Sequence, residues 1–424
     1  MTDHRQIEKV TCLGCGCGCD DVTVTVSGDR IVAAAPLCPM GQVWLGDGRV
    51  PSAIISEGRP ATLEAALSKA ASELARAGSR SLIYLAPDLT TQAQRAALVI
   101  ADLLRATVDS STSETAANGL IAVQRRGRAG ATLGELRNRG DAFLFWGVDP
   151  GVRYPRFLER YGIEPVGTHV PQGRRGRHVI SVSVGSDKAL DGADLSLEIE
   201  PEQEIPVLSL MRASVLGHRL PESSPVASRA AEISARLAQA RYAVLVHDAE
   251  PTAEPRNPLR AEALIALAQV LNGKTRCALC SLRAGRNQVG AEAVLTWQTG
   301  YPVGVDYSRG YPSYLPGNRG VSRLLRGAYA AALITGSALL EPDAQAAFAA
   351  ASTIVIGPRA SEAPFRTSVA IDTGVAGIHE GGLAYRMDEV PLTLRPPLPG
   401  PLSTTDVLLG LHGALRQELR GASR

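Results

Sequence analysis

The chain has 424 residues, 45% of them hydrophobic and 20% charged, with a net charge of +2. That length exceeds what one hydrophobic core serves, so two or three domains are expected, and the mild charge gives no ground for a nucleic-acid partner. No apolar run reaches the roughly 18 residues of a membrane span, and the charged opening MTDHRQIEKV lacks a secretory h-region, so the chain reads as cytoplasmic with no membrane partner.

The first element is a cysteine cluster, CLGCGCGC, from Cys12 to Cys19. Seven cysteines, odd in number and clustered, do not read as a disulfide framework; in a reducing compartment they read as metal binding. Cys12, Cys15 and Cys19 form C-x2-C-x3-C, and Cys38 follows after 18 intervening residues. Four thiolates so spaced suit a 4Fe–4S cluster, with a four-cysteine zinc site, or a motif that binds nothing, as the alternatives. Gly14, Gly16 and Gly18 let the backbone bend around the sulfurs. Cys17 is a fifth thiol that makes the register ambiguous. The alternating stretch DVTVTVSGDRIVAAAPLC predicts a hairpin that returns the chain to Cys38.

Beyond residue 56 the pattern changes. ATLEAALSKAASELARAG predicts a helix with Thr62 as its N-cap and Gly78 as its stop. SLIYLAP, DAFLFWGVDP, HVISVSVG, LSLEIE, YAVLVHDAE, TRCALCSL, AALITGS, STIVIGP and SVAID read as strands, alternating with helices such as TTQAQRAALVIADLLRA and PLRAEALIALAQVLNG. That alternation predicts parallel sheets with crossover helices. The expected fold is α/β: a small β-rich cysteine subdomain over 1–55 and two doubly wound lobes. One lobe is discontinuous, 56–135 and 300–395, and the other runs over 136–299. Residues 396–424 are a Pro-rich tail, which leaves the core, and a final amphipathic helix. The strand ends APD, GVDPG, GSD, HDAE, TGS and GPR are rich in Gly, Ser and Asp, which suits a nucleotide-like ligand and equally suits ordinary turns. The second pair, Cys277 and Cys280, lies in a strand-like run where residues three apart face opposite sides, so the pair reads as two buried small hydrophobes.

C-x2-C-x3-C, a hairpin, C-x-x-G and two α/β lobes together resemble the molybdenum or tungsten bis-pterin oxidoreductases. Three longer stretches narrow the resemblance to the B subunit of formylmethanofuran dehydrogenase. They are TVDSSTSETAANGLIAVQRRGRAGATLGELRNRGDAFLFWGVDPGVRYPRFLERY, GAEAVLTWQTGYPVGVDYSRGYPSYLPG at 290–317 and GIHEGGLAYRMDEVP at 377–391. The resemblance covers most of the chain. It implies the superfamily's fold without the C-terminal barrel domain, which these dehydrogenases carry as a separate polypeptide.

The departures carry as much information. In the dehydrogenases a cysteine or selenocysteine ligates the metal. The matching stretch here, Asp109 to Asn118, has no cysteine and no histidine. The ligand position falls near Ser113, Glu114 and Thr115, none of them a soft thiolate. The neighbouring histidine is replaced by Ala116, and the lysine that links cluster and pterin in many superfamily members by Met40. A second-lobe histidine is absent from Arg283–Asn287 (RAGRN). A chain lacking these groups resembles the B subunit of the bacterial formyltransferase/hydrolase complex, which carries a formyl group from formyl-tetrahydromethanopterin to a methylofuran-type carrier and releases formate. The resemblance implies a non-redox structural subunit in company with A-, C- and D-type partners, with transfer and hydrolysis carried on D and A. It also implies that tungstopterin and molybdopterin are absent. Two alternatives remain: an active tungsten- or molybdenum-pterin subunit with a Ser or Thr oxygen as ligand, and a stand-alone cluster or zinc protein. The aromatic stretch TWQTGYPVGVDYSRGYPSY suits an interface or a packed loop.

Overall fold

The computed structural model describes residues 4–221, 224–251, 255–317 and 320–422, and the side chain of Glu114 lies outside the described residues. The chain divides into two compact units, 1–114 with 285–424, and 115–284.

In the first unit, His4–Val10, Val22–Ser27 and Arg30–Ala35 form a three-stranded antiparallel sheet. Val22, Val24 and Val26 alternate inward and set its register. The expected hairpin is its second half; the first strand, nearly all exposed, carries no alternating signal.

The main sheet of this unit has nine strands. Five parallel strands form its centre, in the order Thr107–Ser110, Ser81–Leu85, Ala331–Thr335, Ser352–Gly357 and Val369–Asp372. Antiparallel pairs close both edges. Both faces are covered, as parallel sheets require. Ile83, Leu85 and Leu333 pack into one core beneath the helices Leu63–Ala77, Thr91–Leu104, Gln288–Thr299 and Thr404–Ala422. Leu82, Tyr84 and Ile334 face the other core, with Phe348. Ser81–Leu85 lies between Thr107–Ser110, the next strand in sequence, and Ala331–Thr335, far along the chain, so the topological switch lies beside it.

The second unit is a five-stranded parallel sheet, ordered Leu195–Ile199, His178–Val184, Ala142–Trp146, Tyr242–Asp248, Arg276–Leu282. Its first strand in sequence is central, the doubly wound pattern. Leu144, Trp146, Val182, Leu245 and Leu279 pack beneath helices that include Glu204–Val215, Pro225–Gln239 and Arg260–Leu271.

Two expectations move. The lobe boundaries, expected at 135/136 and 299/300, fall at 114/115 and 284/285. The reason is packing. In the helix Ala117–Arg126, Ala122 enters the second core and Arg126 holds Glu262 at 2.8 Å, whereas Ala291, Val294 and Leu295 of Gln288–Thr299 enter the first core. The C-terminal helix is not an appendage: Val407, Leu408, Leu411 and Leu415 are part of the first unit's core. Among the described residues, no helix is long and apolar enough to cross a membrane.

Candidate functional site

The cysteine loop follows the first strand. The Cys12 N–H donates to the Cys19 carbonyl at 2.7 Å, and the Gly18 N–H to the Cys15 carbonyl at 3.3 Å. The second turn needs φ = +50° at Gly18, a conformation that glycine adopts at little cost. Cys38 opens the helix Pro39–Leu45, with proline in its first turn. Gly41 of that helix lets the chain close on the first cysteine; a Cβ there would stand 3.1 Å from Cys12 Sγ. The Gly14 N–H lies 3.4 Å from the same sulfur.

Cys12, Cys15, Cys17 and Cys19 are buried and Cys38 is half-buried. Burial pushes the Cys12 thiol up to about 12, and the strongest thiol influences on it come from Cys19, Cys15 and Cys38. Those three thiols therefore lie within electrostatic reach of Cys12. Left to itself the Cys12 thiol stays protonated, and a bound cation reverses that balance. Among the described residues, no three His, Cys, Asp or Glu side chains are set to hold a metal ion. A tetrahedral zinc site needs its sulfurs about 3.8 Å apart, from Zn–S bonds of about 2.3 Å. A 4Fe–4S cluster would take the same four cysteine thiolates.

Two later segments seat the loop. The Arg286 N–H donates to the Leu13 carbonyl at 2.8 Å, and the Met387 N–H to the Gly16 carbonyl at 3.0 Å. Gly285 lies flat on the loop: a Cβ there would fall 2.3 Å from the Leu13 carbonyl oxygen and 2.7 Å from Cys15 Cα. Arg286 reaches the buried Asp88 at 3.4 Å. Asn287, 1% exposed, gives its amide to the Leu89 carbonyl at 2.9 Å and accepts the Tyr385 N–H at 2.7 Å. In the sequence RAGRN stands out only for its missing histidine. In the fold Arg286 and Asn287 both take left-handed backbone conformations, φ = +57° and +60°, a need that no sequence pattern announces.

The segment matching the family's metal ligand is built differently. Thr107–Ser110 is the outermost of the parallel strands and Ser111–Thr115 forms a short helix. Asp109, fully buried, accepts the N–H groups of Ser110 (2.9 Å), Gly304 (3.2 Å) and Gly320 (2.6 Å). It also accepts the Ser113 hydroxyl at 2.8 Å. Burial pushes its carboxyl up, and those four donors oppose the shift. The Thr112 hydroxyl donates to Glu292 at 3.0 Å. Thr115, half-buried, opens the second unit, and Ala116 is buried. Met40 lies with its carbonyl against Gly14.

At the carboxyl ends of the second unit's strands, charges are matched internally. Arg260 binds Glu204 and, at 2.6 Å, Asp187; Arg256 holds Asp187 at 2.7 Å. Arg153 and Tyr154 bind Asp248 at 2.7 and 2.9 Å, and Arg283 binds Glu250 at 3.1 Å. Burial holds His247 down to about 3, so it stays neutral beside Ser281 at 2.9 Å. Cys277 and Cys280 are buried in this sheet, and burial pushes the Cys277 thiol up to about 12, as inert core cysteines behave. In the aromatic stretch of the first unit, Tyr301 and Tyr314 stack at 4.8 Å and Tyr307 is buried, while Trp297 and Tyr311 stay exposed.

No protein-family model matches the chain. Full-length relatives do. The B subunit of the tungsten-containing formylmethanofuran dehydrogenase 2 of Methanocaldococcus jannaschii is 30% identical over 406 residues, 92% of this chain and 93% of that protein. The protein of the same name from Methanococcus maripaludis is 29% identical over 415 residues, 93% and 94% of the two chains. The B subunit of the formyltransferase/hydrolase complex Fhc of Methylorubrum extorquens is 26% identical over 339 residues, 78% and 87%. A chain in the crystal structure of the formyltransferase/hydrolase complex (FhcABCD) from M. extorquens, in complex with methylofuran, shares the fold with a TM-score of 0.73 at 23% identity. The match covers 87% of this chain and 100% of that one. The fold defines the class, an α/β protein with a small N-terminal antiparallel sheet. The chain belongs to the family of formylmethanofuran dehydrogenase B subunits.

Proposed function

We propose that this chain is the B-type subunit of a cytoplasmic formyltransferase/hydrolase complex in tetrahydromethanopterin-linked one-carbon metabolism. It works beside A-, C- and D-type subunits, and its own metal–pterin chemistry is lost. The observation that carries this reading is the state of Asp109–Asn118. That stretch offers no thiol, and the Ser113 hydroxyl donates to Asp109. The Thr112 and Ser113 hydroxyls there are already engaged inside the protein, and neither is the soft thiolate that the resemblance places at the metal.

The cysteine loop fits a cluster better. Its donors are all sulfur, buried, glycine-lined and approached by a backbone N–H. Cys12, Cys15, Cys19 and Cys38 would hold a 4Fe–4S cluster, which supplies a one-electron carrier when bound. In this reading the residues act structurally: the thiolates tie the loop to Cys38, and Gly285 and Met387 hold it on the main body of the first unit.

A second reading, an active tungsten- or molybdenum-pterin subunit, draws support from the higher identity to the tungsten-containing relatives, 30% against 26%. It requires an oxygen of Ser113 or Thr115 as the ligand. Expressing the complex in medium depleted of molybdate and tungstate separates the two. The first reading expects unchanged formyl transfer and hydrolysis; loss of turnover, restored by tungstate or molybdate, would establish the second.

A further inference from the structure

The amino ends of the second unit's parallel strands carry a feature that the proposed function does not use. A surface groove of 880 Å³ lies there, lined by the turn Gly173–Gly176, the starts of the strands at Ala142 and His178, and the end of the helix Pro225–Gln239. Four guanidinium groups face it against two carboxylates, Asp141 and Asp194.

The four arginines have different duties. Arg177, 4% exposed, donates to the carbonyls of Arg137 (2.7 Å), Gly140 (3.0 Å), Ile163 (3.1 Å) and Pro165 (2.6 Å). It clamps the floor of the groove and adds a buried positive charge. Arg174 forks onto Asp194 at 3.1 and 3.3 Å. Asp194 also takes the Val179 N–H at 2.7 Å, and Asp141 takes Arg241 at 3.0 Å and the Tyr242 N–H at 2.8 Å. Both carboxylates are therefore satisfied. Arg175 and Arg236 are exposed and, among the described residues, neither has a hydrogen-bond or ion-pair partner.

Two unpaired forks on two separate elements match several carboxylates presented along a chain. One small anion satisfies one of them, and the charged, open lining is unlike the apolar enclosure of a small-molecule site. We propose that this groove docks an Asp/Glu-rich segment of a neighbouring polypeptide, with Arg175 and Arg236 as its primary contacts and Arg174 beside them. The proposal rests on the groove alone and stands apart from the fate of the metal site.

The test is fluorescence anisotropy of a labelled peptide of alternating Asp and Glu on the full chain, at about 20 mM and about 200 mM salt. Binding is expected at low salt, at least about tenfold weaker at high salt, and at least about tenfold weaker in the Arg175→Glu/Arg236→Glu variant. Arg175→Lys/Arg236→Lys should recover part of it. Both positions are exposed, so the thermal midpoint should not move; if the double reversal fails to fold, Arg236→Gln alone should weaken binding about threefold. Absence of binding at low salt, or binding that charge reversal leaves unchanged, would overturn the proposal. Competition by inorganic phosphate as effective as that by unlabelled peptide would also overturn it, reassigning the groove to a small anion.

Discussion

The cysteine loop and the Asp109–Asn118 segment belong to the same resemblance and have opposite constructions. In the loop every expected sulfur donor is present, and backbone from Gly285, Arg286 and Met387 presses against it. In the second segment the expected thiol is missing, and the Thr112 and Ser113 hydroxyls bond to their own fold. The difference is physical. A loop seated by main-chain contacts on several segments cannot change without disturbing them all, and its cysteines are part of that seating. A ligand carried on a short helix is one side chain, and a hydrogen bond to Asp109 can take its place.

Five substitutions break or sharpen that contrast. The largest effect belongs to Cys12→Ser. Small cysteine–metal sites supply folding free energy on the order of 10 kcal/mol, so this variant should lose iron and soluble complex yield. Cys17→Ser should keep both, measured by metal analysis and yield; equal losses in the two would erase the register assigned to Cys15 and Cys19. Asp109→Ala comes next. It strands the buried N–H groups of Gly304 and Gly320, and a cost of about 3 kcal/mol is expected by denaturant unfolding. A cost under about 1 kcal/mol would show that the segment is not held by this carboxylate.

Gly285→Val drives a side chain into the Leu13 carbonyl and the backbone of Cys15, and overpacking of this kind costs about 1–3 kcal/mol. Loss of iron should accompany the lowered thermal midpoint. Retained iron at wild-type stability would mean that the loop does not depend on this seat. The smallest effect is Ser113→Ala, about 1 kcal/mol in stability with no change in metal content. Loss of tungsten or molybdenum on this change would place Ser113 at a working metal site.

Much of the fold was legible because local signals and tertiary packing agree. Thr62 accepts the Ala65 N–H at 3.2 Å and Gly78 ends the helix, as their types predict. The nine strands read from apolar runs all lie in the two large sheets. Thr107–Ser110 was missed because four buried residues, three of them polar, carry no periodicity. The boundary at 114/115 was missed because a helix's own pattern shows that it has an apolar face, not which core receives it. Of the candidate site, cysteine spacing alone names Cys12, Cys15, Cys19 and Cys38 as the expected donors. Asp109 and Gly285 were not legible as structural residues, since their importance lies in which distant N–H or carbonyl approaches them. The Arg175–Arg236 groove joins a turn and a helix end that are distant in sequence.

The most direct measurement is the content of Fe, Zn, Mo and W per copy of this chain, in the complex purified anaerobically from its natural source. The account predicts about four Fe with no Mo or W, the count of one 4Fe–4S cluster. Stoichiometric Mo or W would contradict the claim that the metal–pterin chemistry is lost, and zinc alone or no metal would contradict the assignment of the four cysteines to a cluster.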